Sequence, residues 1–309
     1  MSKFAVALVA AIALAASTAT AAVPNPTVTG PITGGIKGFP LWDSWYEVGS
    51  LGYTQAEYFV EGTARQPGSA TTATYRTRII VTRPTDPAKF NGTVVMDWVN
   101  VTAQFENAVD SVESHDYLMR EGYAFVHVSA QSAGICCLPN FTPQTWDPVR
   151  YGLPGTTDKL HHPGDAYALD MFAQIAQALK SPAGVDAMGG LDVQRIVATG
   201  QSQSAGKLDD YLMQWQGGSG EHVIDAFLIH GRVANRAAAI ATAAGAKSTQ
   251  VLQLNSDNEA YQNTPSVNPY YSQWDVAGAS HSSFWIGVHS ELGESPRFAG
   301  GPQLSATAD

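Results

Sequence analysis

From Asn91 onward the chain repeats one pattern: a short, nearly continuous apolar run, a stretch of helical periodicity, then another apolar run. The runs are "GTVVMDWVN", "YAFVHVSAQ", "RIVATG", "DAFLIHG" and "VLQLNS". A strand that is apolar on both sides must be covered on both sides. That is the condition of a mostly parallel sheet sandwiched between helices, the α/β class. Helices are expected over Glu106 to Arg120, after Asp165, after "RIVATG", around Arg236 to Ala244, and in the closing "SSFWIGVHSEL". In the second, Leu169, Phe172, Ile175, Ala176 and Leu179 share a face, with Asp165 as the cap and Ser181-Pro182 as the stop. Leu208, Leu212 and Trp215 share a face in the third. Ahead of this region, "YTQAEYFVEGTA" and "TATYRTRIIVTRP" read as an antiparallel pair, preceded by a Pro/Gly/Thr-rich lead, Val23 to Pro40, read as coil.

The first 22 residues have the form of an export signal. Lys3 precedes the apolar "FAVALVAAIALAA", which is too short to span a bilayer comfortably, and Ala19-Thr20-Ala21 supplies a cleavage site. Residues 23–309 then form one domain, secreted or periplasmic, with no span in the mature chain. A net charge of −10 and the absence of a basic cluster argue against nucleic acid or an anionic membrane as partner. Export permits a disulfide, but the two cysteines, Cys136 and Cys137, are adjacent, so bridged and free forms both stay open.

The stretch "RIVATGQSQSAG" carries two serines with small residues two positions away on either side. A serine hydroxyl becomes a nucleophile only when a base removes its proton and a third group orients that base. On a strand-to-helix turn the strand must end directly before the serine. Arg195 to Thr199 is the strand and Gly200 closes it, which puts Ser202 at the apex and Ser204 in the first helical turn. The acid and then the histidine should follow in the chain. "SDNEA" offers Glu259, favoured for its distance past the strand, and Asp257 as the alternative acid. His281, in the turn after the last strand "YSQWDVAGASH", is the candidate base; His289 falls within the closing helix. Backbone donors for an oxyanion are expected from Gln203 at the head of the helix and from Asn100 or Val101 after "WVNVT".

Together the stretches "NGTVVMDWVNVT", "EGYAFVHVSAQSAGI", "HHPGDAYALDMFAQIAQAL", "RIVATGQSQSAGKL", "VLQLNSDNEA" and "QWDVAGASH" resemble a family of exported or bacterial α/β hydrolase domain proteins. The matched stretches span Asn91 to His281, with G-Q-S-Q-S where the usual elbow reads G-x-S-x-G. The resemblance implies the α/β-hydrolase fold and a Ser–acid–His hydrolase with Ser202 and His281 as nucleophile and base. It leaves the acid between Asp257 and Glu259. Carboxylic ester hydrolysis is the default reaction, on a small-molecule ester, with no cofactor or metal called for. An acyltransferase on the same residues, or a non-catalytic binding protein of the same fold, are the alternatives.

His230, at the end of a strand beside the serine, is a candidate pocket residue. Arg232 could meet a substrate carboxylate, although an ion pair is the stronger reading. For His161-His162 bonds to loop backbone are favoured over a metal, and for Asp97 a structural hydrogen bond.

Overall fold

The structure is a computed structural model that describes residues 23–42, 44, 46–103, 105–137, 142–219, 222–232, 249–260 and 269–281. The expected leader, the Arg236–Ala244 helix, the closing helix and His289 lie outside these residues.

Ten strands form one sheet. In chain order they are β1 (Thr27–Thr29), β2 (Tyr53–Arg65), β3 (Thr72–Pro84), β4 (Thr93–Trp98), β5 (Ala124–Val128), β6 (Ala183–Gly184), β7 (Arg195–Gln201), β8 (Ala226–His230), β9 (Gln250–Asn255) and β10 (Tyr271–Asp275). Their spatial order is β10-β9-β8-β7-β4-β5-β3-β2-β1-β6. The block from β5 to β10 is parallel, while β2 and β3 form a long hairpin that joins it antiparallel through β3 and β5. The lead is not all coil. Val28 is buried and Thr27–Thr29 pairs with β2, so the lead adds a strand to that edge.

The period-two alternation of β4 explains the two-sided cover. Met96 and Trp98 face one way, into the main core with Ala198, Phe172, Ile175, Leu208 and Trp215. Helix α4 (Ala168–Lys180) lies on that side, and Trp98 meets Phe172 at 4.8 Å between ring centres. Asp97 faces the other way, where helix α1 (Val109–Arg120) covers the sheet and Ser111 donates to it. Helix α1 starts three residues later than its periodicity suggests, because Asn107 pairs with Asn100 as a β-bridge.

Between β5 and α4 lie a π-helical turn (Ala133–Cys137) and two short helices, α2 (Pro143–Trp146) and α3 (Pro148–Tyr151). Trp146 and Tyr151 pack a second cluster with Leu41, Trp42, Phe59, Ile135 and Leu160. Cys136 and Cys137 are joined in a disulfide. Asp165 does not cap α4. Its carboxylate accepts from Ser132 N at 2.9 Å, Ser132 Oγ at 2.8 Å and Gln131 Nε2 at 3.2 Å, so it ties down the loop after β5. His161 and His162 bond to the backbone carbonyls of Lys159 and Ala130. No helix among the described residues is long and apolar enough to cross a membrane.

Candidate active site

The chain leaves β4 to one side through α1 and β5, and returns to the other side of β4 as β7. Such a switch point opens a crevice at the carboxyl ends of the strands. Ser202 sits there, between β7 and helix α5 (Gln203–Asp210). Its backbone has φ 60° and ψ −113°, a left-handed conformation that costs a non-glycine residue on the order of 1–3 kcal/mol. Only a turn fixed on both sides holds it, and Ser202 N donates to His230 O at 2.8 Å. The small neighbours have a direct reason. A Cβ at Gly200 would lie 3.0 Å from Ser204 Cβ and 3.1 Å from its carbonyl carbon. Ser204 itself is fully buried in α5, its Oγ without a partner among the described residues.

His281 lies against this turn, its Nε2 3.0 Å from Ser202 Oγ and its Nδ1 2.7 Å from Glu259 Oε1. Glu259, on the short helix α6 (Asp257–Ala260), is fully buried. Burial pushes its carboxyl up. Hydrogen bonds from Ser256 N and Oγ to Oε2, together with the His281 imidazole, more than offset this and hold it below the usual range. Asp257 has another position: its Oδ2 accepts from Gly278 N at 2.9 Å and its N–H donates to Ala279 O. It thereby closes the turn that presents His281. Gly231, at φ +62°, leaves room for the ring; a Cβ there would stand 3.2 Å from His281 Nδ1 and Cε1.

Of the expected oxyanion donors, Gln203 opens α5, where an N–H has no intrahelical acceptor. Asn100 is corrected as a backbone donor. Its N–H already donates to Asn107 O at 2.8 Å. The Asn100 side chain instead fixes the loop to the elbow, donating to Gln201 O at 2.8 Å and receiving Thr102 N at 2.8 Å.

His230 Nδ1 bonds Asp110 Oδ1 at 2.7 Å, with Glu113 Oε2 at 3.9 Å, and Asp110 Oδ2 receives Thr199 Oγ1 at 2.7 Å. Burial pulls the imidazole pKa down, but the Asp110 hydrogen bond and charge, with Glu113 and Glu259, raise it above its ordinary value. Asp97, behind them, is raised well above the carboxylate range by burial and by the Asp110 charge. Asp110, Glu113 and His230 offer ligand atoms within 4.8 Å of one another, the spacing of a cation site. The Nδ1–Oδ1 hydrogen bond occupies two of those atoms. Arg232 is drawn into an ion pair with the buried Asp209 and stands against Gly206. Missed by the sequence reading were Gln201, Ser256 and Gly231, which touch the imidazole or its carboxylate; their sequence neighbourhoods carry no periodic signal of it.

A hydroxyl, an imidazole and a buried carboxylate in line can generate an alkoxide. The model of a protein family described as "alpha/beta hydrolase domain" matches residues 28–306. The chain belongs to this family. As an α/β hydrolase it resembles several solved structures at low identity. Porphyromonas gingivalis dipeptidyl peptidase 4 is 14% identical, with a TM-score of 0.40 over 76% of this chain and 35% of that one. This chain thus spans about a third of that peptidase. The esterase Est22 is 12% identical, with a TM-score of 0.43 over 78% and 76% of the two chains. A putative dienelactone hydrolase from Klebsiella pneumoniae subsp. pneumoniae MGH 78578 is 13% identical, with a TM-score of 0.39 over 76% and 96%. No curated protein matches the chain.

Proposed function

We propose that this α/β hydrolase is an exported serine hydrolase that cleaves small carboxylic esters through an acyl-enzyme. The reading rests on one observation above all: Ser202 Oγ, His281 and Glu259 stand in hydrogen-bonding line at 3.0 and 2.7 Å. His281 Nε2 takes the hydroxyl proton as Oγ attacks the ester carbonyl carbon. The carbonyl oxygen becomes an oxyanion and accepts the N–H groups of Gln203 and Val101. Collapse breaks the bond to the alcohol oxygen, which receives the proton from His281. Water then attacks the acyl-serine with the same proton relay, releasing the acid and restoring Ser202. Glu259 keeps the proton on Nδ1 and stabilises the imidazolium. The leader in residues 1–22 supports export, and the Cys136–Cys137 disulfide accords with an oxidising compartment.

The test is a panel of p-nitrophenyl esters from acetate to octanoate, with an anilide of the same acyl group and an added alcohol as competing acceptor. The wild-type chain is expected to hydrolyse the shorter esters. Ser202→Ala should lose about 10³-fold or more in kcat/KM while melting as the wild type does. Equal turnover by Ser202→Ala contradicts the proposal, and acyl transfer to the alcohol in place of hydrolysis makes the chain a transferase.

A further inference from the structure

Helix α1 starts at Ala108 without a side-chain cap, and the carboxylate in its first turn is Asp110. An acid there would ordinarily stay with the unpaired N–H groups of the helix start. Both oxygens of Asp110 instead engage the strands on either side of the elbow. Oδ2 receives Thr199 Oγ1 of β7 at 2.7 Å, and Oδ1 bonds His230 Nδ1 of β8 at 2.7 Å. Thr199 is fully buried and Asp110 is 7% exposed, so water competes little for these bonds.

The bonds close a ring around the serine. His230 O takes the Ser202 N–H at 2.8 Å, and Gln201 O, one residue before the serine, receives Asn100 Nδ2 at 2.8 Å. Asn100 and Asn107 each donate their backbone N–H to the other's carbonyl at 2.8 Å, and three residues beyond Asn107 the chain reaches Asp110. The loop that carries Val101 leaves this ring at Asn100 and rejoins it at Asn107. Its base is therefore fastened to the elbow twice, through Gln201 and through the bonds of Asp110 to Thr199 and His230.

We propose that Asp110 is a positioning residue that holds the oxyanion loop in register with Ser202, serving the transition state rather than substrate binding. The role rests on the Ser–His–Glu reading above and on Val101 as a donor. A donor to a developing oxyanion must already stand within about 0.5 Å of its working place. The carbonyl of the bound ester asks less of it, because it carries less charge. A loop loosened at its base therefore costs rate and leaves binding nearly as it was.

The test is kinetic and uses the full mature chain at a temperature where each variant is folded by circular dichroism. It reads kcat and KM on p-nitrophenyl acetate. It also reads inhibition by a trifluoromethyl ketone, whose carbonyl adds Ser202 Oγ and becomes an oxyanion without a leaving group. Asp110→Ala should lower kcat about 10²-fold with KM within about twofold of wild type, and weaken the ketone by a similar factor as kcat. Thr199→Val removes one bond at nearly the same shape and should lower kcat about tenfold, while Thr199→Ser keeps the hydroxyl and the rate. Added to Asp110→Ala, Thr199→Val should cost less than about twofold more, since the bond is already gone. An unmoved kcat, a loss carried by KM, an unchanged ketone affinity or fully additive losses each overturn the proposal. Should Asp110→Ala fail to fold, Thr199→Val against Thr199→Ser decides by the same kcat, KM and ketone readings. With an active wild type, such results remove the role of Asp110 alone. A wild type inactive on every ester removes the hydrolase reading and this role with it.

Discussion

Two polar clusters in this molecule use the same kind of group, a fully buried glutamate, to opposite ends. At the β2–β3 side of the sheet, Glu57 receives Arg78 at 2.9 Å, Arg150 at 2.7 Å and Tyr151 OH at 2.9 Å. Arg78 also donates to Glu106 at 2.7 Å and Leu41 O at 2.8 Å, and Arg150 to Ile32 O and Gly34 O. Two guanidinium groups balance two carboxylates, and the result pins the N-terminal lead to the sheet. At the carboxyl ends of β7, β8 and β9, Glu259 is equally buried, but its partner is an imidazole whose far nitrogen meets Ser202 and whose side chain is 31% exposed. That end also carries the strained backbone of Ser202. The difference teaches that burial of charge alone does not mark a reactive site. A partly exposed imidazole against a hydroxyl is what differs here.

The sharpest way to break this contrast is to cut each cluster at one member. Glu259→Gln is expected to lower ester hydrolysis about 10⁴-fold, since the imidazole loses the partner that fixes its tautomer. Its unfolding free energy in urea should stay within about 1 kcal/mol of wild type, because the amide oxygen still accepts from Ser256. Arg78→Met should do the reverse. It takes the guanidinium from the buried Glu106 and leaves Glu57 with Arg150 and Tyr151 alone, and urea unfolding should report a loss of about 3–5 kcal/mol. Its specific activity at temperatures where it stays folded should remain near wild type.

A smaller effect is expected at the seam. Gly231→Ala places a methyl 3.2 Å from the His281 ring in a left-handed backbone, so the imidazole must shift. Activity should fall about 10²-fold with a modest drop in melting temperature, read by ester kinetics and calorimetry on one sample. Unchanged kinetics would show that the ring has slack there.

The smallest effect concerns His230, which shares the face but sits outside the line. Its pKa is raised in the folded chain, so its stabilising bond to Asp110 is present in full below the unfolded imidazole value of about 6.5. That contribution is lost as the pH rises through the folded value. The gap in urea stability between wild type and His230→Asn should therefore be widest near pH 5.5 and narrow toward pH 8.5. A gap that widens with pH would reverse the assigned direction.

Much of this arrangement was legible because it is local. The period change from two to helical marks β7 and α5, so the apex residue follows directly, and "GASHSS" stands after the last strand of the sequence. The acid is narrowed to Asp257 and Glu259 because both follow the strand "VLQLN" directly, with Glu259 favoured for its distance past it. In the structure Glu259 turns to the imidazole and Asp257 to the Gly278 turn. The Arg78–Glu57–Arg150 network joins residues about 20 to 90 positions apart and leaves no periodic trace. Asp165 misled because its position has the form of a helix cap, whereas two donors from Ser132 compete for it more strongly. Asn100 misled for a related reason: a loop residue offers its N–H in sequence, and the bridge to Asn107 takes it in space.

The account stands most directly on Ser202 being an activated hydroxyl. Labelling the purified mature chain with a fluorophosphonate, then mapping the adduct by mass spectrometry in wild type, Ser202→Ala and Ser204→Ala, reads this in one experiment. The account predicts a single adduct on Ser202, absent from Ser202→Ala and retained in Ser204→Ala. A folded wild type that takes no label, or takes it on another residue, contradicts it.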